Sequence, residues 1–196
     1  MATLNKLQKA FSLFDAANEK DPNKETYQGK TYAKEVLYAK RMTDKLNAFS
    51  PNASEALQLT ARCQHICRWE IARDSYEMNR TGYLKWRQDL KKHHAIKATN
   101  ILKEIDYDTE IIEQVAFLLE KKQLKKNQET QTLEDVICLV FLEFYFEPFA
   151  KKYTEEKLID ILQKTWRKMS DKGHEAALKL PLSDSSLQLV TKALSQ

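Results

Sequence analysis

Three glycines and four prolines in 196 residues leave this chain few places to turn tightly, and that scarcity constrains its fold more than any other feature. A β-sandwich needs many turns and a Rossmann sheet needs a glycine-rich phosphate loop, so both are disfavoured against an all-α fold. With 42% hydrophobic residues the chain can bury a sizeable core, and its length suits one helical domain over residues 1–196. The longest apolar run, VICLVFLEFYF at 136–146, is interrupted by Glu143 and falls short of the roughly 18–20 residues of a membrane span. It reads as a buried core helix, with no membrane partner. Thirty-two basic residues against 28 acidic ones leave a net charge of +4, spread in mixed clusters, which argues against nucleic acid as the partner. Cys63, Cys67 and Cys138 are odd in number and no secretory leader precedes them, so the expected location is cytoplasmic.

Apolar spacing near 3.6 residues lays out the helices. The first is expected over 3–18, with Thr3 as N-cap and Leu4, Leu7, Phe11 and Phe14 at helical spacing. A polar connection, EKDPNKETYQGK, leads to a second helix over 32–49 and a third over about 53–68, which would carry His65 near its end. Residues 70–81 have no period and read as a loop holding Arg73 and Arg80. Further helices are expected at 82–105, 109–124 with Asp108 as cap, 132–149, 154–171 and 174–179, and Ser183 caps a last one ending near 195.

Chemistry-bearing residues gather in three stretches: SEALQLTARCQHICRW (54–69), HHAIKATNIL (93–102) and LEDVICLVFLEF (133–144). His65 can serve as a metal ligand or as a general base near neutral pH, or it can simply bond a carbonyl at a helix end. Glu134 and Asp135 point about 100° apart on a helix, so one can ligate or act as base while the other assists. Asp135, followed by Val136 and Ile137, is the stronger site candidate; Glu134 also fits a solvated first helical turn. Arg41, Arg68, Arg73, Arg80, Arg87 and Lys97 surround these groups in sequence, and guanidinium matches phosphate bidentately. Cys63 and Cys67 share a helical face but lack two further zinc ligands, and read as buried small residues. Trp69, Tyr76, Tyr83 and Trp86 can form a core and pocket wall or stack a base. No GxGxxG, Walker loop, GxSxG or HExxH is present.

In order and spacing the three stretches resemble an HD-domain phosphohydrolase over roughly 33–145, followed by C-terminal helices at 154–195. That resemblance implies an HD-like helical bundle in which a divalent metal (Mn, Mg, Co or Zn) activates water against a phosphoester. One alignment places His65 at the first residue of the His-Asp pair, Ile66 where the aspartate should stand, Tyr38 at the upstream histidine and Asp135 at the distal aspartate. A second alignment places His65 upstream and His93-His94 at the pair, with Lys97 after it. Both keep His65 and Asp135 in the site, with His93 or His94 as additional metal ligands. The expected substrate is a nucleotide or another small phosphorylated metabolite; the alternative is a metal-free binding or regulatory module on the same scaffold. Over nearly its full length the chain also resembles the uncharacterised DUF4202 family, through FDAANEKDPN, RCQHICRWEIAR, NRTGYLKWR and LEDVICLVFLEFYFEPFAKK.

Overall fold

Helical periodicity carries through into a computed structural model of the protein, which describes residues 5–195. The fold is all-α, with ten α-helices and one two-stranded hairpin among the described residues. Most helices begin where a short polar side chain accepts an otherwise unpaired N–H of the first turn. Asn5 does this for α1 (Lys6–Asn18), Ser54 for α3 (Glu55–Cys63) and Asn79 for α4 (Arg80–Glu104). Thr3, the cap expected from the sequence, and Leu4 lie outside the described residues. Asp108 stands at the N-cap position of α5 (Thr109–Leu119) but its side chain makes no capping bond. The chain divides into two compact units, one running to Asn47 and from Pro51 to Lys122, the other combining Ala48–Ser50 with residues from Gln123 onward.

The first unit holds α1, the hairpin, α2 (Lys34–Phe49, less its last residues), α3, α4 and α5. Phe14, Leu59, Ile66, Leu102, Val115 and Leu119 share one buried cluster. Arg62 closes a two-pronged pair on Asp15, at 2.9 and 2.5 Å, and so ties α3 to α1. The segment EKDPNKETYQGK is not a plain connection. It holds β1 (Lys24–Tyr27) and a turn, and β2 (Lys30–Ala33) starts at its last residue, antiparallel to β1 in register Lys24↔Ala33 to Tyr27↔Lys30. Gln28 and Gly29 both take positive φ, 49° and 74°, the backbone of a two-residue turn that follows strand twist.

The second unit holds α6 (Gln128–Val140), α7 (Phe146–Ala150), α8 (Glu155–Lys168), α9 (Asp171–Ala177) and α10 (Asp184–Leu194). Leu139, Leu142, Phe146, Leu158, Leu162, Met169 and Val190 form its core. The apolar run expected as one helix is interrupted by a π turn at Phe141–Tyr145 before α7. Pro148, inside α7, has no N–H to give the preceding turn and its ring crowds the carbonyl four residues back, which favours such a widened turn. Ser183 caps α10 as the sequence indicates, accepting from Ser186 N–H.

Candidate functional site

α3 stops at Cys63, short of the helix end expected at 68, so His65 lies in a turn rather than on a helix. The turn is fixed from both sides. Cys67 adopts the left-handed conformation at φ 53°, costly for a residue with a Cβ, and its N–H donates to the buried Asn18 Oδ1 at 3.0 Å. On α4 two consecutive histidines hold two consecutive carbonyls: His94 Nδ1 donates to Ile66 O at 2.7 Å, and His93 Nε2 to Cys67 O at 3.1 Å. The next short turn, Arg68–Glu70, then projects Arg68 back toward His65.

Three polar side chains meet there. His65 Nδ1 lies 3.4 Å from Glu35 Oε2, Arg68 Nη1 lies 3.2 Å from His65 Nε2, and Arg68 Nε lies 4.0 Å from Glu35 Oε1. A guanidinium can only donate, so Nε2 carries the lone pair and the proton sits on Nδ1, directed at Glu35. Tyr38 stacks on the imidazole at 4.0 Å with the planes 12° apart, and the His94 ring lies 5.8 Å away. Arg68 itself lies over the Trp86 indole, 4.9 Å from its centre, while Trp86 Nε1 donates to Ile71 O at 2.9 Å.

Charge is confined by this packing. Glu35 is 6% exposed, and burial pushes its carboxyl up to about 7 despite the opposing pull of Arg68. Burial and the Arg68 guanidinium hold His65 well below the usual imidazole range. His94, 4% exposed, is pushed down to about 3 by burial, with its bond to Ile66 O working the other way. Near neutral pH the site therefore pairs neutral imidazoles with a carboxyl poised between its two states. Glu35 is the member that sequence reasoning missed. It lies three and seven residues before the buried Tyr38 and Met42, and an acid on that apolar face was the available signal.

The remaining candidates are placed as follows. Arg41 pairs with Glu25 at 2.6 Å and covers the Tyr27 ring, which ties the hairpin to α2. Lys97 pairs with Glu70 at 2.8 Å, and Glu70 also lies 3.4 Å from His93 Nε2. Arg87 donates to Tyr83 Oη at 3.0 Å, Arg73 to the carbonyls of Tyr76, Glu77 and Asn79, and Arg80 is exposed at the start of α4. Cys63 and Cys67 are buried.

Glu134 and Asp135 belong to the second unit, where Lys168 Nζ lies 3.9 Å from Glu134 Oε1. Asp135 Oδ1 accepts from Ser170 N–H at 2.8 Å and Gln131 Nε2 at 3.1 Å, and Oδ2 accepts from Ser170 Oγ at 2.6 Å. Ser170 in turn caps α9. Gly173 allows the close approach, since a Cβ there would lie 2.6 Å from Asp135 Oδ1. Asp135→Asn brings a donor against these donors and is expected to cost about 2–3 kcal/mol in urea unfolding, the scale of a buried charge-assisted bond. A loss below about 0.5 kcal/mol would contradict this anchoring role.

Among the described residues no group of three His, Cys, Asp or Glu is arranged to hold a metal ion. The donor set at His65 agrees with that, because Nε2 faces the Arg68 guanidinium and Nδ1 faces the Glu35 carboxyl. The residues present do not fit the HD metal centre that the sequence resemblance implied. Among the described residues no helix is long and apolar enough to cross a membrane.

Helix-borne groups converging on a clamped turn define an all-α protein with one compact acid–base and guanidinium cluster. The chain belongs to the family described as Domain of unknown function (DUF4202), whose model matches residues 8–190. No curated protein and no solved structure matches it.

Proposed function

We propose that the chain is an HD-like phosphohydrolase acting on a nucleotide or another small phosphorylated metabolite in the cytoplasm, with the Glu35–His65–Arg68 cluster as its site. One observation carries the reading: His65 is held between a buried carboxyl on Nδ1 and a guanidinium at Nε2. In this role Arg68 binds the phosphoryl oxygens, His65 Nε2 takes the proton from a water that attacks phosphorus and returns it to the leaving oxygen as the P–O bond breaks, and Glu35 orients the imidazole and balances the transient imidazolium. Tyr38 keeps the ring plane fixed by stacking. No step is routed through a metal.

The test is phosphate release from a panel of nucleotides and sugar phosphates, run with chelator and with added Mn²⁺, Mg²⁺, Co²⁺ or Zn²⁺. Turnover in chelator that disappears in His65→Gln supports the reading; turnover that survives His65→Gln overturns it. Arg68→Gln is expected to weaken a phosphorylated ligand by about 1.5–3 kcal/mol in calorimetry, a charge-assisted hydrogen bond's worth. Equal affinity in a folded Arg68→Gln variant moves the phosphate site elsewhere.

One observation favours a second reading, a metal-free binding module. In the free protein the His65 lone pair is spent on Arg68. Tight binding of a phosphorylated ligand without turnover, lost in Arg68→Gln, would select this reading.

A further inference from the structure

The Nε2 lone pair of His65 cannot accept a proton from water while Arg68 Nη1 occupies it at 3.2 Å. Nδ1 offers no substitute, because it faces Glu35 Oε2 at 3.4 Å and bears the proton. A phosphoryl group is a stronger acceptor for guanidinium than a neutral imidazole nitrogen, since the bond is charge-assisted and bidentate. The only carboxylate paired with Arg68 among the described residues is Glu35, at 4.0 Å, longer than a hydrogen bond. Trp86 offers a flat surface beneath the guanidinium, 4.9 Å from its ring centre, along which the group can change partners and stay stacked. Trp86 is itself buried and fixed by its bond to Ile71 O.

We infer that Arg68 is a ligand-displaced cap on His65: an anionic group entering beside the turn draws the guanidinium off Nε2 and so frees the base only when such a ligand is present. The inference rests on the proposed phosphate site and adds a specificity rule to it. Ligands lacking an anionic oxygen next to the reacting bond leave His65 capped and are not turned over, however well they fit. Arg68 is then a positioning residue as well as a phosphate contact. The charged and titratable groups against His65 are Glu35 and Tyr38 from α2, Arg68 from its own turn and His94 from α4, while Arg87 of α4 and Lys121 after α5 act on it through their charge. Of these only Arg68 touches Nε2.

Histidine-labelled full-length protein reports the cap directly, because the ¹⁵N resonance of Nε2 distinguishes a bonded acceptor, a free acceptor and a protonated nitrogen. Inorganic phosphate is the probe, titrated in parallel by calorimetry. Saturation is expected to move the His65 Nε2 signal toward the free acceptor and to raise its protonation midpoint by about one pH unit or more, as the cation leaves and an anion arrives. Arg68→Gln should show the raised midpoint without phosphate and no further change with it. Phosphate saturation that leaves the wild-type Nε2 signal unmoved overturns the cap and leaves the phosphate site standing. An identical phosphate response in Arg68→Gln also overturns it, as an effect of ions in general. Absence of any phosphate binding overturns the proposed site and the cap together.

Discussion

His65→Gln is expected to lower turnover of a phosphorylated substrate by about 10²–10⁴-fold, the usual contribution of a positioned general base. The loss should fall on kcat more than on KM, because phosphate affinity is assigned to Arg68 and proton transfer to His65. Glutamine preserves part of the ring's volume, and the turn is held by groups other than the imidazole: Asn18 on Cys67 N–H, His94 on Ile66 O and His93 on Cys67 O. Circular dichroism and the urea midpoint should therefore stay near wild type. A variant that keeps its fold and its kcat would remove His65 from the chemistry.

Glu35→Gln is expected to stabilise the protein above neutral pH and to leave it little changed in acid. The folded-state value of about 7 is raised from the ordinary 4.5 by burial, so the folded protein binds this proton more tightly than the unfolded chain. The favourable contribution is complete below pH 4.5 and is lost as pH rises through about 7. At about 1.4 kcal/mol per unit, the wild type carries a penalty of about 3 kcal/mol at pH 8 that glutamine avoids. His65 and His94 act with the opposite sign: their depressed values mean that stability is lost as pH falls below about 6.5. Both variants retain those histidines, so the difference between wild-type and Glu35→Gln unfolding free energies isolates the carboxyl. A difference that is flat from pH 4 to 8 would place Glu35 in water rather than in the core.

Much of the fold was legible because helix caps and apolar periodicity are local signals. Ser183 before Ser186 and the stripe Leu7, Phe11, Phe14 are examples, and the structure places α10 and α1 accordingly. The hairpin was hidden because its strands are four residues long and largely polar, and its turn uses Gln28-Gly29 where asparagine before glycine would have signalled it. The helix end near His65 was misplaced by one turn because the reversal is made by Cys67 in a left-handed conformation held by Asn18, a contact across 49 residues. Of the side chains that meet at the turn, His65, Arg68, His93 and His94 were singled out by type in the sequence, and Tyr38 by position. Glu35 was not, since an acid in the first turn of a helix is ordinarily a favourable surface residue and only tertiary burial makes it a coupled partner of His65. Asp135 looked like a ligand for a related reason. A buried acid needs a partner, and here that partner is the N-terminus of α9.

The claim that Glu35, His65 and Arg68 form the working site is tested most directly by mapping pyrophosphate binding through backbone amide shifts of the full chain. Saturable changes are expected to concentrate at residues 35–38, 64–70 and 93–94, and to need roughly 10–150-fold more pyrophosphate in Arg68→Gln. Saturable changes centred elsewhere and unaltered in Arg68→Gln would contradict that claim.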